Sequence, residues 1–198
     1  MRLILSDFMS LDGVTQAPGG KEEDTDGGFR HGGWSVPYFD EEVMGADVGE
    51  VMGRTEALLF GRRTWEGMAA AWPSRAGDPY ADQMNSYPKY VASRTLDADE
   101  AASRWNNTHL LGGDAIAAIR DLRASGGDGG LQLWGSPTLA RQLVENDLVD
   151  EYRLMVEPIL LGGGKSLFPA DGQARPLELA SVTQAKTGVL ICSYRPAR

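Results

Sequence analysis

A chain of 198 residues with 19 basic against 28 acidic side chains carries a formal charge of −9, the opposite of the basic footprint that tracking a phosphodiester backbone requires. One cysteine, Cys192, and two histidines, His31 and His109, leave no internal disulfide and argue against a thiolate or zinc cluster, which fits a reducing cytoplasm. The length suits one domain that buries a full core without such staples, and no apolar run approaches the ~18 residues of a membrane helix.

The start, MRLILSDFMSLDG, has an apolar stretch too short for a signal peptide and reads as a first strand. The glycine-rich, acidic stretch Pro18 to Gly33 follows as a long loop, expected to be mobile over about 15–36. In DEEVMGADVGEVMG, Met44, Val48, Val51 and Met52 recur at helical spacing, with Asp40 placed to cap the helix. EALLFG, KYVAS, THLLGG, LQLWG and EYRLMVEP read as further strands, the last alternating Tyr152, Leu154 and Val156 against Arg153, Met155 and Glu157. Between them, Asp114 opens a helix that buries Ile116, Ile119 and Leu122. Ser136 and Pro137 open another, with Leu139 and Leu143 on one face. SGGDGG at 125–130 is a turn, and LELASVTQAKTGVLICSYRP reads as two successive strands. The pattern predicts a single α/β domain over 1–198, a three-layer sandwich whose mostly parallel central sheet is flanked by helices and closed by a C-terminal antiparallel hairpin.

Ligands of open α/β sheets bind at the carboxyl ends of the strands, so the strand-to-helix junctions are where chemistry is sought. Gly61, Arg62, Arg63 and Thr64 follow one strand, Ser93, Arg94 and Thr95 a second, and Gly135, Ser136, Thr138 and Leu139 a third. Glycine admits close backbone approach, helix starts favour anions and guanidiniums clamp phosphate in two places at once. Each junction alone reads equally as punctuation, surface charge or capping; three in one sheet suit a long, multiply phosphorylated ligand such as a dinucleotide. The GGGKS at 162–166 suggests a P-loop, but that motif needs glycine at position 159, which is Ile159, and no G-x-G-x-x-G occurs.

SLDGV at 10–14, FGRRTWEGM at 60–68, VASRTL at 91–96, LWGSPTLARQL at 133–143 and DEYRLMVEPILLGGGKSLF at 150–168, in that order, resemble the dihydrofolate-reductase-like family. Within it, the chain is similar to the branch related to the reductase domain of bacterial riboflavin biosynthesis. The resemblance implies an NADPH-dependent reductase, commonly a homodimer, acting on a pterin-like or pyrimidine-like heterocycle. The pyrophosphate would lie on Gly61, Arg62, Arg63 and Thr64 and on Gly135, Ser136, Thr138 and Leu139, and the 2′-phosphate on Ser93 and Arg94, with Thr95 also among the cofactor-binding residues. The family's proton-delivering acid aligns with Phe39, one residue before Asp40, and one step along a helix turns a side chain by ~100°. Asp40 is therefore either a proton donor or the helix cap, and Asp12 either shapes the nicotinamide site or is a tight-turn aspartate. Trp34, Tyr38, Phe39 and Trp134 are candidate walls of an aromatic substrate pocket, or core packing, and His31 stands in the loop. Metal ligands are not expected. The alternative from another class is a dinucleotide-binding protein that kept the cleft without turnover.

Overall fold

The computed structural model describes residues 1–197. Eight strands form one sheet: β1 (Arg2–Ser10), β2 (Thr55–Gly61), β3 (Lys89–Ala92), β4 (Thr108–Leu111), β5 (Gly130–Trp134), β6 (Glu151–Glu157), β7 (Leu177–Gln184) and β8 (Leu190–Pro196), in the order β4-β3-β2-β5-β1-β6-β8-β7. The first six are parallel, and β8 runs antiparallel to both β6 and β7, so the expected closing hairpin is present. Six helices connect them: α1 (Val43–Gly53), α2 (Arg62–Ala71), α3 (Pro79–Ser86), α4 (Ala98–Arg104), α5 (Ala115–Ser125) and α6 (Pro137–Glu145). None is long and apolar enough to cross a membrane.

Alternation divides the sheet into two faces. Leu3, Leu5, Leu59, Leu131, Leu133 and Leu154 point to one side and bury Ile119 of α5 and Leu139, Leu143 and Val144 of α6. On the other, Leu58, Phe60 and Val91 pack on Met52 of α1, Trp65 of α2, Met84 of α3 and Ala101 of α4, while Met155 and Ile191 pack on Met44. On β6, Met155 and Glu157 are buried along with Tyr152 and Leu154, while Val156 is half-buried, because this strand lies between β1 and β8 and is covered on both faces.

Local signals fix the helix starts. Asp78, Asp97 and Asp114 each accept backbone N–H bonds one turn in, and Pro79 occupies the first helical position of α3. Asp40 takes the Glu42 and Val43 N–H groups at 3.1 Å, so it caps α1 as the sequence indicates. Ser136 stands at the expected start of α6 but does not cap it: its φ is +56° and its hydroxyl instead accepts the Gly61 N–H at 2.8 Å. That bond ties the end of β2 to the turn after β5.

The loop after β1 is closed by its own hydrogen bonds. Trp34 Nε1 donates to the Gln16 carbonyl at 2.7 Å, Gly33 N–H to Ala17, and Thr15 N–H to Lys165 at 2.9 Å. Gly164 stands against it with a φ of +147°, and a Cβ there would lie 2.5 Å from Val14 Cγ1. Both the conformation and the space demand glycine. Gly164→Ala is expected to cost about 2–3 kcal/mol by strain plus clash. Urea unfolding measures it, and a loss below ~0.5 kcal/mol, within the range of an ordinary surface change, would show that the loop gives way freely.

Candidate functional site

The carboxyl ends of the parallel strands open on a cleft of about 570 Å³, inside the range of small-molecule sites. Nine of the eleven residues assigned to cofactor binding from sequence line it: Gly61, Arg62, Arg63, Thr64, Ser93, Arg94, Ser136, Thr138 and Leu139. The other two support the wall. Thr95 Oγ1 accepts from Arg62 at 2.6 Å, and Gly135, at φ +55°, lies so close to Thr64 that a Cβ would meet its methyl at 3.3 Å. The Thr64 hydroxyl then accepts the Ser136 N–H at 3.0 Å, which locks two of the three junctions together.

The three arginines differ in their company. Arg62 is held by Glu66 at 2.8 Å and by Thr95, and Arg63 pairs with Asp26 of the long loop. Arg94 is exposed and forms no ion pair among the described residues. Lys165 also lines the cleft and pairs with Asp24 and Asp26. Asp26 is held below the usual carboxylate range first by Lys165 and then by Arg63, and Arg63 is pushed up in turn. The loop is thus fastened to the cleft rim by carboxylates sitting on two of its cations.

A fourth junction joins the site without a distinct signal in the sequence. Leu111, Gly113, Asp114, Ala115 and Ile116, between β4 and α5, line the far end of the cleft. The strand–Gly–Gly–Asp–helix grammar matches the other three, yet Asp114 reads in sequence only as a cap.

The two candidate acids are apart in their attachments. Asp12 accepts the Ser10 hydroxyl at 2.6 Å and the Gly162 N–H at 2.7 Å, with Leu161 N–H at 3.1 Å. These bonds lower its pKa to about 2, the serine contributing most. Asp40 also accepts Lys186 N–H at 3.0 Å, from the turn between β7 and β8, and is lowered chiefly by that bond. The aromatic candidates separate as well. Trp34 is buried within the loop, Phe39 faces solvent, and Tyr38 packs on the Met44 and Met155 cluster beside which Phe8 also packs. Trp134 lies 6.4 Å from Phe8, ring centre to ring centre, and His31 stacks edge-on against Phe29 at 5.5 Å.

Two buried carboxyls carry no sequence signal. Glu157, fully buried, accepts the Ser35 hydroxyl at 2.6 Å, and burial pushes its pKa up to about 7. Asp7 on β1 is raised well above its usual value, first by burial.

A family model described as the RibD C-terminal domain matches residues 2–191. The chain is 25% identical over 200 residues to the uncharacterized protein YyaP of Bacillus subtilis, covering 98% of this chain and 94% of that protein. A crystal structure from Shewanella sp. PV-4 named for riboflavin biosynthesis superposes with a TM-score of 0.75 at 24% identity, over the full length of both chains. A Thermotoga maritima diaminohydroxyphosphoribosylaminopyrimidine deaminase/5-amino-6-(5-phosphoribosylamino)uracil reductase superposes at 0.63 and 13% identity, over 99% of this chain and 56% of that one. These two likenesses bear on the fold.

Proposed function

This chain belongs to the RibD C-terminal domain family, and from that premise we propose that it is a reductase using NADPH to reduce a small pterin-like or pyrimidine-like heterocycle. The carrying observation is the single cleft that runs along four strand-to-helix junctions and gathers Arg62, Arg63, Arg94 and Lys165 with two glycine turns. The residues fit the cofactor's phosphates: the Gly135 turn, at φ +55°, would press a Cβ against Thr64 at 3.3 Å, Gly61 lies against Ser136, and the Ser93 and Thr138 side chains line the same cleft. When bound, the cofactor supplies a hydride.

The chain's own part is to hold phosphate charge with the arginines, to shape the turn with Gly61, Thr64 and Ser136, and to keep the first strand end rigid. Asp12 belongs to that last task, and Asp40 ties the start of α1 to the turn between β7 and β8. Each carboxylate is filled by N–H or O–H donors that favour its charged form, so neither is poised to give up a proton. The proton then comes from solvent or from the substrate's surroundings.

That same commitment of both acids favours the second reading, a dinucleotide-binding protein without turnover. Titration with NADPH and NADH, followed by nicotinamide fluorescence, tests the common ground, and a preference for NADPH is expected. No binding of either at millimolar concentration removes both readings. NADPH oxidation over a panel of pterins, pyrimidines, quinones and carbonyls separates them, since binding without consumption of NADPH belongs to the second alone.

A further inference from the structure

Two cavities meet at one ion-paired strap. Arg63, Asp24 and Lys165 line the cleft at the strand ends, and a second cavity of about 540 Å³ lies between residues 26–31 of the long loop and the turn at 161–165. Lys165 lines both. The strap 24–26 passes from one to the other, with Asp24 on the wall of the first and Asp26 on the wall of the second. Both carboxylates sit on the Lys165 ammonium, that of Asp26 at 2.8 Å, and Asp26 also takes Arg63.

The buried side chain of Gln16 sets this arrangement. Its Oε1 accepts the Lys165 N–H at 3.1 Å, and its amide nitrogen donates to the Asp24 and Asp26 carbonyls at 3.2 and 3.0 Å. Cation and carboxylates are thus held in place by one residue. Directly after the strap, Gly27 and Gly28 stand at φ +67° and +75°, a backbone that can swing without a side-chain penalty.

Two carboxylates face two cations, so the charge of this wall is cancelled before any ligand arrives. A phosphate that reaches for Arg63 or Lys165 must displace a carboxylate. Arg63 and Asp26 are exposed, and ion pairs of that kind are individually weak, so the exchange is open to a stronger anion. Adjacent phosphate groups bring at least as much charge as the two carboxylates and more acceptor oxygens. A single phosphate on Arg94 meets no such competition, since Arg94 carries no ion pair among the described residues.

We propose that the strap 24–26 is an autoinhibitory latch, an internal stand-in for the ligand's phosphates that opens Arg63 and Lys165 only to adjacent phosphate groups and, once displaced, joins the two cavities. Calling the natural ligand a dinucleotide rests on the reductase reading; the latch itself is tested with inorganic pyrophosphate.

The experiment compares the wild type with the double variant Asp24→Asn/Asp26→Asn. Asparagine keeps the oxygen by which Asp24 accepts the Asp26 N–H at 3.1 Å, so the melting temperature is expected to hold, and each single variant shows part of the effect. By calorimetry the double variant binds pyrophosphate and NADPH about three- to tenfold tighter, because the fraction of protein open to them rises. Adenosine 2′-monophosphate, which needs only Arg94, changes by less than about twofold, distant charges being screened by salt. Without ligand, trypsin cuts after Arg30, exposed on the same loop, roughly threefold or more faster in the variant, and pyrophosphate speeds the cut in the wild type. Four results overturn the latch: equal affinity of both proteins for pyrophosphate and NADPH; an equal gain for adenosine 2′-monophosphate, which marks a general loss of negative charge; cleavage no faster in the variant; or protection of the wild type by pyrophosphate, which marks a loop that closes on its ligand. Failure of NADPH to bind either protein, with the pyrophosphate and trypsin results as expected, defeats the reductase reading and leaves the latch standing.

Discussion

Arg94→Ala weakens NADPH by about 10- to 30-fold and leaves NADH within about twofold. The ratio follows from the company each arginine keeps. Arg62 already serves Glu66 and Thr95, and Arg63 serves Asp26, so a phosphate must share or displace those partners. Arg94, exposed at the end of β3 and without an ion pair among the described residues, has its donors free. A charge-assisted bond contributes roughly 1.5–3 kcal/mol, reduced by solvent at an exposed side chain, and 1.4 kcal/mol is a factor of ten. NADH lacks the 2′-phosphate and so loses nothing that Arg94 supplied. Parallel titrations of wild type and variant with both dinucleotides measure it; an equal loss for the two would move the 2′-phosphate away from Arg94, and Arg63 would be next to test. Asp26 makes that second substitution harder to interpret, since removing Arg63 also takes away one of the two cations that fasten the loop to the cleft rim.

The cleft was legible in the sequence because its grammar is local. A strand, a glycine and an arginine or serine before a helix sit within a few residues of each other, and nine of the eleven residues so chosen line one cavity. Asp114 obeys the same grammar, but its capping role alone accounts for it in the sequence. The short helices α3 and α4 are hard to read from sequence although Asp78-Pro79 and Asp97 announce both starts, since neither segment is long enough to show a clear apolar period. Ser136 shows the limit of capping rules: its place at the start of α6 is readable, but its left-handed backbone and its bond to Gly61, 75 residues away, are not.

What lies beyond local grammar is register. Ser6, Trp134 and Arg153 come from three strands far apart in the chain, and nothing in any one of those strands says that they fall in one cross-strand row. Glu157 reads as the outward member of an alternating strand until α1 and the loop are seen to cover that face. Asp12 and Asp40 were open between catalysis and structure, and only the backbone donors supplied by distant turns reveal how fully their oxygens are engaged.

Glu157→Gln raises stability above neutral pH and flattens its decline from pH 5 to 8. An unfolded glutamate titrates near 4.5, while burial lifts the folded one to about 7. Between those values the folded protein binds the extra proton, so stability is full below the lower value and falls as pH rises through the upper one. The Ser35 hydroxyl, 2.6 Å from Oε1, offsets part of the penalty and Oε2 has no partner to offset the rest. Allowing for screening by nearby solvent, the charged form costs about 1–2 kcal/mol, or roughly 2–8 °C in melting temperature for a chain of this size. Gln keeps the Oε1 acceptor for Ser35 and never ionises, so that contribution to the slope vanishes. Asp7, raised in the same direction by its own burial, leaves a residual slope that Asp7→Asn removes in the double variant. Melting temperatures at half-unit intervals between pH 4.5 and 8.5 decide it, and identical profiles for wild type and Glu157→Gln would mean that Glu157 stays ionised in the folded protein.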